Sequence, residues 1–282
     1  MNDLFVLTKV RLNTLVVFTT AAGFYMASLG PVNWLQLVMV CFGTALVAGG
    51  AAAFNQIQER DVDLLMERTK TRPMPQRRVS MARANVVAYG TTLVGLALLI
   101  YFSASWLAAG LALATSVLYV LVYTPMKLKS SLATVVGAIP GALPPMIGWA
   151  AARGTVDMVS WTLFIIMFLW QLPHFLAIAW MCRDDYARAG MPMLSVVDKD
   201  GSMTGRQAVL YSAALIPFSV APMLFGMTGR TYGIGALVLG LTLVAVATGF
   251  AFQRSRDNAR MLFLATIVYL PLLLILMAFG RR

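Results

Sequence analysis

One apolar run long enough to cross a bilayer is hard to place in a soluble fold, and this chain carries nine in succession. Bracketed by charges, Gly and Pro, they run approximately Asn13 to Ser28, Trp34 to Phe54, Arg83 to Ser103, Trp106 to Tyr123, Ala133 to Ala152, Trp161 to Met181, Gln207 to Gly226, Tyr232 to Phe252 and Ala259 to Phe279. Each is about 16–22 residues, enough for roughly 30 Å of hydrocarbon. The composition agrees, since 60% of the 282 residues are hydrophobic and only 12% charged. Soluble domains are about 45–50% apolar. The expected fold is therefore all-α, a single polytopic membrane domain over residues 1–282 with nine transmembrane helices. Trp34, Trp106, Tyr123, Trp161 and Tyr232 fall at span ends, where amphipathic rings sit at the headgroup level. The first span lacks a small-residue cleavage site and reads as a true helix rather than a signal peptide.

A net charge of +11 would suggest nucleic acid in a soluble protein, but here it reports orientation. With the N-terminus inside, 18 of the 22 Lys and Arg lie in inner segments, leaving Arg153, Arg230, Arg281 and Arg282 outside. No nucleic-acid partner is expected. The acids say more, because the positive-inside rule makes no demand on them. Ten of the 11 also fall inside: Glu59, Asp61, Asp63 and Glu67 follow the second span, and Asp184 and Asp185 end the sixth. Cys41 and Cys182 lie in or beside apolar runs with no metal-ligand partner nearby and read as small buried hydrophobes.

If the second helix continues past residue 54, Asn55, Glu59 and Asp63 share one face as a ladder of oxygen donors, and Asp61 points elsewhere. Hard oxygen ligands at that spacing suit Mg²⁺, which completes its shell with substrate phosphates and water. Alternating acids and bases also describe a solvated helix end with local Glu–Arg pairs. Four features favour a site. Asn55 ends a small-residue helix, where a polar side chain is costly without a partner. Asp184 and Asp185 lie on the same side. Arg68, Lys70, Arg72, Lys127 and Lys129 could hold a diphosphate, and the spans offer long apolar walls for a lipid tail. Together these describe a membrane enzyme acting on a lipid diphosphate.

The run Asn55-x-x-x-Glu59-x-Asp61-x-Asp63 with Met66-x-Arg68-Thr69-x-x-Arg72-Pro73 resembles the first acidic motif of the UbiA superfamily of intramembrane prenyltransferases. Trp170-Gln171-Leu-Pro173-His174-Phe175, the Asp185-Tyr186 run to Leu194, Tyr123-Thr124, Lys127 and the Gly141 to Trp149 segment are similar to its haem-prenylating branch. The match covers roughly residues 8 to 200, and the last three spans carry little signature. Three departures stand out: Glu59 at a position that is often Asp, Ala189 where a second carboxylate is common, and Val10 where the family has Pro.

The resemblance implies a nine-helix bundle in the bacterial cytoplasmic (inner) membrane, its N-terminus and active-site loops on the cytoplasmic side. It implies farnesyl diphosphate as donor, haem b as acceptor and Mg²⁺ as cofactor, and leaves room for a haem A synthase or terminal oxidase assembly partner. Asn55, Glu59, Asp63 and Asp185 are the expected metal shell, and Lys9, Arg11, Arg68, Arg72 and Lys127 the expected diphosphate contacts. Trp170 and Gln171 would line the acceptor side, and Tyr186 would shape the site. His174 is the sole histidine; it reads as a haem-iron ligand, a proton carrier, or a ring satisfied by Gln171 or a neighbouring helix. On a continuous sixth helix it would share a face with Asp185, about 16 Å deeper. Two alternatives remain open at this stage: a prenyltransferase for a quinone or phenolic precursor, and a lipid or small-molecule transporter. A transporter would gather its ionisable residues near the midplane, whereas these collect at one face.

Overall fold

The computed structural model describes residues 3–281, and among them every regular element is helical. In hydrocarbon the backbone must satisfy its own hydrogen bonds, and helices do so within each segment. Short α1 (Asp3–Leu7) leads through Lys9 into α2 (Val10–Ala27), followed by α3 (Trp34–Gln58), one-turn α4 (Arg60–Asp63) and α5 (Met81–Phe102). The next span begins as α6 (Leu107–Val117), widens into a π-helical segment (Leu118–Tyr123) and closes as α7 (Thr124–Met126). Pro125 follows that segment, and its missing N–H suits a locally widened turn. The fifth span breaks at Leu143 into α8 (Ala133–Ala142) and α9 (Pro144–Arg153), where Pro144 and Pro145 start a new helix. After α10 (Met158–Met181) come two short inner helices, α11 (Arg183–Arg188) and α12 (Leu194–Val197), then the long α13 (Ser202–Leu224), α14 (Arg230–Phe252) and α15 (Arg256–Phe279).

Eight helices, with the π-widened and broken spans each counted once, are long and apolar enough to cross a membrane. The first expected span is not among them. It is α2, 18 residues carrying Arg11, Asn13 and Thr14 near its start and packed against α3 and α9, so the count of nine is not reproduced. The other expected boundaries move by five residues at most, the largest shifts being α13, which starts at Ser202 rather than Gln207, and α3, which runs one turn past Phe54.

Burial separates an inner set from a lipid-facing one. In their most apolar stretches, the α8–α9 span is 67% buried, α10 61% and α3 56%, against 17% for α5 and 28% each for α13 and α14. Small residues let the inner helices touch backbone to backbone. A Cβ on Gly148 would lie 2.0 Å from the Thr20 carbonyl oxygen, and one on Gly23 2.0 Å from that of Pro145, so α2 and α9 cross in contact.

The segments around α1, after α4 and after α11 gather at one end of the bundle. Asp3 pairs with Arg78 at 3.1 Å, and Met66 packs with Ala189, Met191 and Met193, which joins the loop after α4 to the loop after α11. At the opposite end Arg281 bonds the Ser28 carbonyl and Ser105 Oγ donates to the Gly154 carbonyl at 2.9 Å.

Candidate active site

The oxygen ladder forms as its spacing requires, although the helix breaks along it. Glu59 sits between α3 and α4, yet its N–H still bonds the Asn55 carbonyl at 2.9 Å and the Asp63 N–H bonds the Glu59 carbonyl at 2.7 Å. All three side chains are buried, while Asp61 faces solvent and pairs with Arg60 at 3.0 Å.

Each ladder member has a partner from another segment. Lys9 Nζ donates to Asn55 Oδ1 at 2.7 Å and to the Tyr119 hydroxyl at 3.4 Å, and Asn55 Nδ2 donates to Thr124 Oγ1 at 3.1 Å. Lys127 Nζ donates to Glu59 Oε1 at 2.8 Å and lies 4.5 Å from the Tyr123 ring centre. Arg72 binds both Asp63 oxygens, at 2.8 and 3.1 Å. Three basic side chains therefore stand over two carboxylates in a mostly buried cluster.

The electrostatics follow from that crowding. Burial, with the Arg72 and Lys127 charges beside it, pushes Lys9 down to about 7. Burial alone would raise the Glu59 carboxyl, but Lys127 and Lys9 outweigh it and hold it below its ordinary value. Burial works against the Lys127 charge, and Tyr123, Glu59 and Tyr119 overcome it, so that ammonium keeps its proton more firmly than a free lysine.

Lys9 takes a left-handed backbone at φ 50°, uncommon for a residue with a side chain. Gln56 secures that bend: its Nε2 donates to the Val6 and Leu7 carbonyls at 2.8 and 2.9 Å, tying the end of α1 to α3. The π-helical segment brings Tyr119 and Tyr123 to the same place, and Gly137 leaves room for the Tyr123 ring.

Beyond this charged mouth lies a cavity of about 350 Å³. Lys9, Tyr119 and Tyr123 line one part of it; Met167, Trp170, Gln171, His174 and Phe175 line another, and aliphatic residues such as Val16, Val47, Ala51 and Ile147 complete the wall. The size is near the lower end of ligand pockets, about 300–1,000 Å³. Gln171 is buried, donates to the Met167 carbonyl at 3.0 Å and occupies space that only a glycine at 141 leaves open. Trp170 Nε1 donates to the Thr266 carbonyl at 2.8 Å, and His174 Nδ1 meets Thr266 Oγ1 at the same distance.

Four expectations need restating against this geometry. The sixth helix is not continuous: α10 ends at Met181 and α11 begins at Arg183, so Asp185 is not three turns along the His174 face. Of the two partners expected for the histidine, it is the neighbouring helix that supplies one, through Thr266, and not Gln171. Arg11 is exposed and its side chain makes no hydrogen bond or ion pair among the described residues. Asp185 reaches the loop after the ladder: its oxygens accept from the Glu67 and Arg68 backbone N–H groups at 3.3 and 3.4 Å, and Arg188 pairs with it. Beside it Arg68 approaches the Tyr186 hydroxyl at 3.4 Å, and burial raises that phenol above its ordinary value.

The donor chemistry of the ladder suits a hard divalent cation. Among the described residues no three Asp, Glu, His or Cys side chains converge on one point. Glu59 and Asp63 are each turned toward a cation. Binding a metal there fits these residues if Lys127 and Arg72 transfer to another anion as it enters. Sequence reasoning passed over Tyr119, Thr266 and Arg188; only the Tyr119–Tyr123 spacing of four before Thr124-Pro125 gave a local signal.

Three comparisons bear on this geometry. The sequence profile of the UbiA prenyltransferase family matches residues 16–270. A protoheme IX farnesyltransferase from Solibacter usitatus is 43% identical over 100% of this chain and 99% of its own length. Among solved structures, one reported for digeranylgeranylglyceryl phosphate synthase in membranes superposes with a TM-score of 0.81 at 15% identity, covering 99% of this chain and 97% of that one. A UbiA homologue from Archaeoglobus fulgidus, bound to DMAPP and Mg²⁺, gives 0.70 at 15% identity over 99% and 98%. At such identities these two likenesses concern the fold.

Proposed function

The chain belongs to the UbiA prenyltransferase family, and from that premise we propose that it is a protoheme IX farnesyltransferase, joining the farnesyl group of farnesyl diphosphate to a vinyl group of haem b to give haem O. The observation that carries the reading is the union of a buried, cation-rich mouth with an apolar cavity lined further on by Trp170 and His174. The name borne by relatives such as the Solibacter usitatus protein supports haem as acceptor.

The chemistry begins when the allylic carbon–oxygen bond of the donor breaks and its electron pair leaves with the diphosphate. Charge then grows on the leaving oxygens, and groups already aimed at that place stabilise it most. Lys9, Arg72 and Lys127 are those groups. Incoming diphosphate oxygens replace Asp63 and Glu59 as their partners, which frees both carboxylates. Asn55, Glu59 and Asp63 would hold Mg²⁺, with Asp185 the further carboxylate of the adjoining loop, and the metal would supply Lewis-acid stabilisation of the diphosphate. The farnesyl chain lies against the aliphatic wall, with water kept from the allylic cation. The vinyl π electrons of the acceptor form the new carbon–carbon bond, and water adds to the resulting cation, releasing a proton and leaving a hydroxyl. Arg68, Tyr186 and Asp185 clasp the two inner loops over the mouth. The charged end faces the cytoplasm of a bacterial inner membrane, the side that the excess of Lys and Arg in these loops assigns to it.

The test is turnover by purified protein in detergent with farnesyl diphosphate, Mg²⁺, and haem b and a phenolic acceptor in competition, products being identified by mass spectrometry. A metal-dependent farnesylated haem is expected. Prenylation of the phenol alone would overturn the acceptor and keep the donor; neither product from folded protein would overturn both and favour transport.

A further inference from the structure

The sole histidine is tied to the last helix, the part of the chain with the least sequence signature. His174 follows Pro173 within α10, and its Nδ1 lies 2.8 Å from Oγ1 of Thr266, a fully buried residue of α15. A hydroxyl has a single proton to donate. Thr266 Oγ1 also lies 2.6 Å from the Phe263 carbonyl oxygen, which can only accept and would repel a bare oxygen at that distance, so the hydroxyl proton belongs there and Oγ1 accepts from His174. The imidazole proton is therefore on Nδ1, and the neutral ring keeps a lone pair on Nε2.

The rest of the surroundings hold that ring still. Trp170 and Phe263 lie nearly parallel to it, with ring centres at 5.2 and 4.9 Å and planes inclined by 20° and 26°. Thr266 also fixes Trp170, whose indole N–H bonds its carbonyl. Both Trp170 and His174 line the cavity, and among the described residues no protein group bonds Nε2. A histidine serving only to join two helices needs no fixed tautomer, and this one stands on the cavity wall with no protein group bonded to its second nitrogen among the described residues. A neutral imidazole with one nitrogen tied and the other presented is how proteins offer a metal ligand.

We propose that Thr266 is a positioning residue that holds His174 as the Nδ1–H tautomer, so that Nε2 faces the cavity and coordinates the iron of the tetrapyrrole acceptor. The iron contact rests on the proposed acceptor; the tautomer does not.

Because the chain has one histidine, ¹⁵N-histidine labelling gives a single pair of ring resonances in detergent, and their shifts report the tautomer directly. Wild type and Thr266→Ser should show protonated Nδ1 and bare Nε2, and Thr266→Val should lose that preference. Protonated Nε2 in the wild type, or an unchanged tautomer in Thr266→Val, would overturn the positioning role. The second readout is the absorption spectrum during a haem b titration. Wild type should shift the haem band, His174→Ala should abolish the shift, and Thr266→Val should weaken binding about tenfold, with Thr266→Ser restoring it. A wild-type spectrum in His174→Ala would overturn iron coordination. If wild type binds no haem, the acceptor assignment and the iron contact fall together, and the ¹⁵N result still decides the role of Thr266.

Discussion

Replacing Lys127 with Met isolates one of the two buried ion pairs in the site. Its Nζ lies 2.8 Å from Glu59 Oε1, and the two side chains are only 15% and 9% exposed. At an effective dielectric of about 20 that separation corresponds to an attraction of about 6 kcal/mol. Met carries no charge to desolvate on folding, which offsets roughly half, so the loss of leaving Glu59 unpaired falls near the lower end of the 3–5 kcal/mol typical of breaking a buried pair, about 3 kcal/mol. Lys9, which also acts on Glu59, keeps the cost from rising further. For a chain of this size that is a fall in melting temperature of about 6–9 °C. Lys127→Met, Glu59→Gln and the double variant would be compared by thermal unfolding in one detergent. The double variant removes both charges, so it should be more stable than the sum of the single losses by about 2 kcal/mol. Additivity to within about 0.5 kcal/mol would refute the reasoning and make the pair an incidental contact.

Three further outcomes follow from the same geometry. Burial and two neighbouring cations set Lys9 near 7, so its ammonium is present below that pH and lost above it; kcat/KM for the diphosphate donor should fall as pH rises through about 7, and Lys9→Arg should flatten the profile. Gly148→Ala would put a Cβ 2.0 Å from the Thr20 carbonyl oxygen, forcing α2 and α9 apart at a cost of about 1–3 kcal/mol, read as a lower melting temperature; no change would mean the two helices adapt freely. Asp185→Ala removes the acceptor for the Glu67 and Arg68 N–H groups. Limited proteolysis between residues 64 and 72 should then accelerate, and an unaltered cleavage rate would show that the Met66–Met191 packing holds the loops without it.

The architecture was legible wherever periodicity and hydropathy govern. The ladder Asn55, Glu59, Asp63 was readable because a spacing of four survives the change from α3 to α4, and Asp61 was correctly set aside for the same reason. Arg72 and Lys127 were readable as cations near it, but nothing local tells which carboxylate each one grips; that depends on segments 9 and 68 residues apart. The end of the sixth span at Met181 was legible from the charges that follow it, whereas the turn at Cys182 that redirects Asp185 has no Gly or Pro to mark it. Thr266 was invisible for a different reason. A threonine in an apolar span usually bonds its own helix, as Thr242 and Thr248 do here, and only packing against α10 brings this one to His174. Lys9 shows the limit from the other side: its charge was legible, whereas the left-handed bend that delivers it to Asn55 depends on the distant Gln56.

A structure of the protein with Mg²⁺ and a non-hydrolysable farnesyl thiodiphosphate tests the central claim most directly. The account predicts the diphosphate within hydrogen-bonding distance of Lys9, Arg72 and Lys127, with Glu59 and Asp63 released toward the metal and the farnesyl chain in the cavity leading toward Trp170. A diphosphate bound elsewhere, with the Lys127–Glu59 and Arg72–Asp63 pairs intact, would contradict it.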